Sequence, residues 1–362
     1  MSPEQKKYFS RQTKLPFLGE SGQNGLLQKS ALVIGLGGLG SPASLHLATA
    51  GVGKIGLWDF DTVELSNLHR QTAFTLSDIG RKKTEVTKEY IQARVPGILL
   101  ETFTEIFSER IDPSIFNNWD IVLDCTDQIQ AKYTINRFCI RNHKPLVTAS
   151  VFRTSAQVAI FSPLGKPCYK CLYPNLEGSE LLSCEDGGVL GVQTAIAGLY
   201  QASFAIQYLL SPEKSPTNSA FQLEWESPLF YETFLEADPN CTECGSGKRE
   251  EPLRGKPLRD ETLKDEIDLK DWKEWKKDPK YILLDVREFE ERKETPIGNS
   301  IFSPLSELSV DSALGFSKEK IYITICESGI RSKKAAKILK EAGLTAYSLQ
   351  GGRKILALEE IL

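Results

Sequence analysis

SALVIGLGGLG, running from Ser30 to Gly40, joins an apolar strand to a glycine-rich turn. The run Ala31 to Ile34 reads as a buried parallel strand, and Gly35, Gly37, Gly38 and Gly40 follow it in a turn that opens a helix. Such a turn suits phosphate, because glycine leaves backbone N–H groups accessible and a helix N-terminus adds partial positive charge. A second strand, Ile55 to Trp58, ends at Asp59, whose carboxylate can bond a ribose hydroxyl. To this point a nicotinamide-dependent oxidoreductase explains the residues equally well, and a tight turn that holds no phosphate is the plainer alternative for the glycines.

The following segment, DFDTVELSNLHRQ, separates these readings. Asp61, Asn67 and Arg70 stand where one loop gathers a carboxylate, an amide and a guanidinium at the nucleotide end of the sheet. A dinucleotide site has little use for an arginine there, whereas a triphosphate shifting charge onto departing pyrophosphate does. GLGGLG, DFDTVELSNLHRQ and the later DCTD, Asp124 to Asp127, resemble the activating enzymes of ubiquitin-like proteins, and among them the MoeB/ThiF group, from Arg11 to about Cys244. The resemblance implies a Rossmann-like, mostly parallel adenylation domain. It implies ATP with Mg2+ as cofactors, and as substrate the C-terminal carboxylate of a small ubiquitin-fold sulfur-carrier protein. It further implies that Arg11 serves the nucleotide site of a neighbouring subunit, which makes the protein a homodimer. Lys83, counted from Gly80, and Asp127, as magnesium ligand, match the family pattern, whereas Gln128 and Lys132 replace its asparagine and arginine.

At 362 residues the chain exceeds the ~250–300 at which single cores stop growing, so two domains are expected. A net charge of -4 argues against a nucleic-acid surface. No apolar run reaches the ~20 residues of a membrane span, and the start MSPEQKKYFSRQ has no signal-peptide core. A soluble, cytoplasmic protein without membrane partners is expected. Four of the eight cysteines sit in two CxxC pairs, which favours metal and thiol chemistry in a reducing compartment over a disulfide scaffold.

Residues 1–29 read as a polar helical arm. Strands are then predicted over Ala31 to Gly35, Ile55 to Asp59, Ile98 to Thr102 and Ile121 to Cys125, alternating with helices, which predicts a mostly parallel sheet covered on both faces. A helix is predicted from near Ser77, with Lys82 and Lys83 close to its start. Cations are unfavourable there, so phosphate contact by Lys83 outweighs a merely solvated face, and Lys82 is taken as surface. Asp124 and Asp127 bracket a strand exit at the carboxyl end of the sheet, where magnesium needs one or two carboxylates; Asp127 capping the next helix is the alternative.

Two more strands, Leu146 to Ala149 and Gln157 to Phe161, precede Cys168 and Cys171, whose partners are Cys241 and Cys244. Two CxxC knuckles place four thiolates for a tetrahedral, structural Zn2+. Between them, Cys184 lies in a glycine-flanked acidic loop and reads as a reactive thiol; in the family this loop crosses the active site and its cysteine forms a thioester or a disulfide. Cys125 and Cys139 are assigned to the core. FQLEWES and LFYETFL suggest a hairpin on the face that receives the protein substrate.

Residues 246–266 are charged, contain Pro and Gly, and read as a linker between an adenylation domain over 1–245 and a second, small α/β domain over 267–362. There the strand IYITI runs into CESGIRS, a strand, loop and helix arrangement that surrounds a thiolate with backbone N–H groups, with Cys326 as nucleophile and Arg331 adding positive charge at the rim. LLDVRE, CESGIRS and LQGGRKIL resemble rhodanese-type sulfurtransferases, in which the loop cysteine carries a persulfide. Phosphatases with this layout put five residues between cysteine and arginine; here there are four, so sulfur fits the cradle better.

Together the two resemblances imply carrier adenylation, then sulfur transfer from Cys326 to give a thiocarboxylate, with Cys184 resolving an acyl-disulfide and a cysteine desulfurase as a typical sulfur donor. Molybdopterin, thiamine thiazole and tRNA thiolation all use this chemistry. A rhodanese-like domain kept only for docking, a nicotinamide-dependent oxidoreductase and a non-catalytic adaptor stand as rival readings.

Overall fold

The strand that enters the glycine turn lies inside an eight-stranded sheet of order β3-β2-β1-β4-β5-β6-β7-β8. β1 (Ser30–Ile34) pairs in parallel with β2 (Lys54–Trp58) on one side and β4 (Ile121–Asp124) on the other. β3 (Leu99–Phe103) and β5 (Leu146–Phe152) extend the parallel part. β6 (Ser155–Phe161), β7 (Ser219–Glu224) and β8 (Phe230–Phe234) continue it antiparallel, and β7 with β8 forms the expected hairpin. The computed structural model describes residues 1–176, 188–225, 230–245, 266–327 and 329–357, so Cys184 and the predicted linker up to residue 265 lie outside the described residues.

β1 and β4 are buried along nearly their whole length, as Val/Ile/Leu runs must be when both faces of a sheet are covered. One face packs aromatics, with Trp58 stacked on Phe103 and edged by Phe107. The other packs small and aliphatic residues of the helices Gly40–Ala50 and Gly191–Leu210. Successive strands run outward in both directions from β1 and β4, and an open sheet leaves a crevice outside the carboxyl ends of such a pair.

The helix predicted from near Ser77 begins later. Leu76–Asp78 is a separate 3-10 turn closed by Asp78, which accepts the Thr75 N–H, and Gly80 at φ 86 breaks the path. The helix spans Lys83–Gln92, which makes Lys83 its first residue. Lys82 is not simply surface: its ammonium donates to the Phe60 carbonyl at 3.2 Å.

The chain divides into two compact units, Met1–Leu253 and Arg254–Leu362. The second is built on a five-stranded, wholly parallel sheet of order β11-β10-β12-β13-β9. Its strands are β9 (Glu266–Ile267), β10 (Tyr281–Asp285), β11 (Ser300–Phe302), β12 (Ile321–Ile325) and β13 (Thr345–Leu349). β12 leads through Cys326 into the helix Ile330–Glu341. Among the described residues no helix is long and apolar enough to cross a membrane.

Candidate functional site

The four glycines of the turn do different work. A Cβ on Gly35, which has φ 90, would stand 2.7 Å from the Cys125 carbonyl oxygen, and one on Gly40 only 1.8 Å from the Gly35 carbonyl oxygen. These two let the turn pack against the exit of β4. A Cβ on Gly38 would strike Thr194 of the helix Gly191–Leu210 at 2.6 Å. Gly37 is the open one, with Gln71 Nε2 alone in its neighbourhood, at 3.6 Å. The surface over Gly37 is therefore where a ligand can approach the backbone.

A bonded series runs outward from that turn. Asp59, at the end of β2, accepts the Leu36 N–H at 2.7 Å and the Asp61 N–H at 2.8 Å. Asp61 in turn pairs with Lys83, Oδ2 to Nζ 3.0 Å, and Lys83 is 5 % exposed. Burial raises the Asp59 carboxyl above its ordinary 3.8, against the opposing pull of Lys83.

Arg70 is held by its own loop, Nη1 donating to the Ser66 carbonyl at 2.9 Å and lying 2.8 Å from His69 Nε2. Its backbone abuts Gly191, where a Cβ would meet Arg70 Cα at 3.2 Å, and its neighbour Gln71 is the residue beside Gly37. Asn67 is buried and closes the Leu65–Asn67 turn, its Oδ1 accepting the Glu64 N–H at 3.3 Å.

Asp127 is exposed, and its carboxylate makes no hydrogen bond or ion pair among the described residues; it does not cap the helix Ile129–Arg141, which has no side-chain cap. Thr126, just before it, lies against Gly35, so the Asp127 segment borders the turn. Asp124 has a different setting. Fully buried, it accepts from Lys132 at 3.1 Å, Thr148 at 2.6 Å and Thr126 at 2.7 Å. Lys132, 3 % exposed, also donates to the Ala149 carbonyl at 2.7 Å. Its charge is therefore buried in a network beneath the site, although the resemblance set Lys132 at the place of the family's arginine.

Arg11 is exposed, and its side chain makes no hydrogen bond or ion pair among the described residues. Gln12 anchors the segment, its amide donating to Gln23 at 3.0 Å and to the Ala50 carbonyl at 3.1 Å. Within one chain Arg11 is thus not bonded to the residues around the glycine turn.

The sulfurs of Cys168, Cys171, Cys241 and Cys244 lie within 4.8 Å of one another and could hold a metal ion. Three of their separations are 3.9, 3.7 and 3.3 Å, against about 3.8 Å expected for four thiolates ~2.3 Å from a tetrahedral ion. Glu243, inside the second knuckle, pairs with Arg137 at 3.2 Å and fixes the cluster to the helix Ile129–Arg141. Cys125 and Cys139 belong to the core, and burial pushes both thiols up.

In the second unit Cys326 is completely buried, and its sulfur accepts the Gly329 N–H at 3.1 Å and the Ser332 N–H at 3.3 Å. Gly329 stands at φ 94 and Gly352 packs on the Cys326 carbonyl, where a Cβ would come within 2.3 Å. The expected positive rim is compensated. Arg331 binds Glu291 through both nitrogens at 2.6 Å, and Glu327 of the loop binds Arg353 at 2.8 and 2.7 Å. Arg287, buried, pairs with Asp285 at 2.9 Å and lies 3.6 Å from Glu327.

Comparison with known proteins adds identity to this geometry. The ThiF family matches residues 9–245 and a rhodanese-like domain matches residues 268–355. A relative described as adenylyltransferase and sulfurtransferase MOCS3, from Drosophila ananassae, is 31% identical over 331 residues, 86% of this chain and 72% of that one. The protein of the same description named uba4 from Aspergillus niger is 31% identical over 413 residues, covering 98% and 84%. Against uba4 of an Aspergillus fumigatus strain the identity is 38% over 260 residues, 68% of this chain, and the match spans about half of that relative, 52%. Among solved structures, E. coli MccB with ATP superimposes with TM-score 0.57 at 23% identity over 66% of this chain and 74% of that chain, a likeness of fold. The chain belongs to the ThiF family and carries a rhodanese-like domain behind it.

Proposed function

We propose that this chain uses ATP to adenylate the C-terminal carboxylate of a small ubiquitin-fold sulfur-carrier protein, and then exchanges AMP for sulfur carried on Cys326. The observation that carries the reading is the bonded series Leu36–Asp59–Asp61–Lys83, which ties a buried cation to a glycine turn that is open at Gly37. Phosphates lie over Gly35 to Gly40, and the ribose bonds Asp59. Lys83, Arg70 and the partner subunit's Arg11 in a homodimer neutralise the charge that moves onto pyrophosphate. Asn67 and Asp61 hold the loop and the lysine in place.

Asp127, an exposed carboxylate with no bond among the described residues, is suited to hold Mg2+, which supplies charge neutralisation on phosphate oxygens when bound. Cys168, Cys171, Cys241 and Cys244 form a closed four-thiolate set suited to structural Zn2+.

The carrier carboxylate attacks the α-phosphorus, forming an acyl-adenylate and releasing pyrophosphate. The terminal sulfur of a Cys326 persulfide attacks the acyl carbon and AMP leaves, giving a carrier acyl-disulfide on Cys326. Thiolate attack by Cys184 on the Cys326 sulfur releases carrier thiocarboxylate and leaves a Cys184–Cys326 disulfide, which an external thiol reduces. A protein persulfide of the kind that a cysteine desulfurase makes reloads Cys326.

The test is carrier-dependent ATP–pyrophosphate exchange with purified ubiquitin-fold proteins ending in Gly-Gly, beside thiocarboxylate formation followed by mass. Cys326→Ala is expected to keep the exchange and abolish the thiocarboxylate; loss of both, or no exchange with any carrier by the intact chain, overturns the reading. The complete burial of Cys326 favours a second reading, a rhodanese-like unit used for docking alone, and a C326A chain that still makes thiocarboxylate would establish it.

A further inference from the structure

Behind the Cys326 sulfur stand two serines from different elements, Ser332 on the helix Ile330–Glu341 and Ser348 on β13, and both are completely buried. Their hydroxyl oxygens are 2.8 Å apart, and Ser332 Oγ is 3.6 Å from Cys326 Sγ. The Gly329 carbonyl lies 2.9 Å from Ser332 Oγ and 3.5 Å from Ser348 Oγ. Two hydroxyl protons thus serve four acceptors: the sulfur, the carbonyl and the two hydroxyl oxygens.

That surplus allows two wirings without moving a heavy atom, because hydroxyl protons turn to suit their surroundings. With the thiol protonated, S–H donates to Ser332 Oγ and the Ser332 proton goes to the Gly329 carbonyl. With the thiolate formed, Ser332 turns its proton onto the sulfur and Ser348 donates to Ser332 Oγ. We propose that Ser332 and Ser348 form a switchable hydroxyl pair that gives the Cys326 thiolate a third donor, beside the N–H groups of Gly329 and Ser332, and so act as positioning residues for sulfur loading.

The inference rests on the sulfur-transfer reading above and adds its proton arrangement. In the loading step the Cys326 thiolate attacks the outer sulfur of a persulfide, R–S–SH. A new S–S bond forms, the donor's S–S bond breaks, and the departing R–S⁻ takes the persulfide proton, leaving Cys326–S–S⁻ and R–SH. The hydroxyl pair acts before the attack, by holding the nucleophile in its charged form.

The charged neighbours do not obscure such an effect. Glu327 is paired with Arg353 and faces Arg287, Arg287 is paired with Asp285, Arg331 with Glu291, and Lys333 on the same helix with Glu266. Arg, Glu and Asp keep their charges between about pH 7 and 9.5, and paired lysine largely does. Tyr322, in the same core, donates to the Ser317 carbonyl, and burial pushes its hydroxyl up.

The experiment loads the full chain with glutathione persulfide and follows the gain of one sulfur on the Cys326 peptide by mass, for wild type, Ser332→Ala and Ser348→Ala. A hydrogen bond to a charged group is worth roughly tenfold, so S332A is expected to load about tenfold more slowly than wild type near pH 7, and S348A several-fold more slowly. Higher pH favours the thiolate in every variant, so the deficit relative to wild type should be clearly smaller at about pH 9.5 than near pH 7. Variant rates equal to wild type near pH 7, or an equal fractional loss at both pH values, would overturn the inference; the second result marks a purely structural role. Should S332A fail to fold, S348A carries the same two outcomes. A wild-type chain that gains no sulfur on Cys326 overturns the sulfur-transfer reading and the inference with it.

Discussion

Lys83 and Asp61 are joined twice, Nζ to Oδ2 at 3.0 Å and the Lys83 N–H to the Asp61 carbonyl at 3.1 Å. The second bond sets where the helix Lys83–Gln92 starts, and the first aims its leading side chain back at the glycine turn through Asp59. Removing the cation should be costly for chemistry and moderate for the fold, since Asp61 keeps 20% side-chain exposure. Lys83→Met is expected to lower carrier-dependent exchange at least ~100-fold, the scale of one lost transition-state donor, and to cost roughly 1–3 kcal/mol in urea unfolding. Lys83→Arg should recover part of the activity. Full exchange in K83M would remove Lys83 from the site.

The glycines separate binding from folding. Gly40→Ala drives a methyl group into the Gly35 carbonyl, 1.8 Å away, and should fail as a folded protein or melt far below wild type. Gly37→Ala meets only Gln71 Nε2, at 3.6 Å, so its melting temperature should stay within a few degrees. The added methyl nevertheless occupies the surface over which phosphate approaches, and ATP affinity should fall about tenfold or more by calorimetry. A G37A chain that binds ATP normally would place the phosphates elsewhere.

The strands β1 and β4 were legible because parallel strands covered on both faces must be near-continuous apolar runs, and Ala31 to Ile34 and Ile121 to Leu123 are such runs. Other features depend on partners that sequence does not place. The helix predicted from Ser77 fails at a local event, the Thr75–Asp78 capping and the left-handed Gly80. Lys132 stands at the place of the family's arginine, yet its partners are Asp124 on β4 and the Ala149 carbonyl on β5, which meet only when those strands pair. The positive rim expected from Arg331 disappears because Glu291, forty residues earlier, faces it. Ser332 and Ser348 gave no signal of their own, since a serine at the end of CESGIRS, six residues after the cysteine, and one within a strand are both ordinary.

The Asp124–Lys132 pair offers the plainest stability measurement. Both side chains are buried, 1% and 4% exposed, so truncating the lysine leaves a carboxylate with two hydroxyl donors and no counter-charge. Lys132→Met is expected to destabilise the protein by about 3–5 kcal/mol, read as a lower urea midpoint. The double variant Asp124→Asn with Lys132→Met should recover much of that loss. A K132M midpoint equal to wild type would mean that water or another cation satisfies Asp124.

Metal removal should act on stability before chemistry. The two knuckles are 73 residues apart in sequence, so an ion on Cys168, Cys171, Cys241 and Cys244 closes a long loop. Native mass is expected to show one zinc per chain, and a strong chelator or Cys241→Ser to lower the melting temperature by several degrees or more, with zinc restoring it in the chelated protein. A protein that carries no zinc and melts unchanged with chelator would leave the cluster as four packed thiols.

Glu291 and Arg331 yield an acid-stability signature and a specificity effect together. The bidentate bonds from Arg331 hold the Glu291 carboxyl below its ordinary 4.5, against the opposing effect of burial. A carboxylate with a depressed value in the folded state contributes stability above the unfolded value and loses it as pH falls through the folded one. Melting of the wild-type chain should therefore drop more steeply below about pH 4.5 than melting of Glu291→Gln, which has no proton to take up. At neutral pH the same substitution removes the anion that compensates Arg331, so an anionic sulfur donor such as thiosulfate should bind several-fold better, seen as a lower KM in thiocyanate formation. Parallel melting curves for both proteins between pH 5 and 3, with an unchanged KM, would show that the pair is too solvated to matter, as many half-exposed ion pairs are (roughly 0–1 kcal/mol).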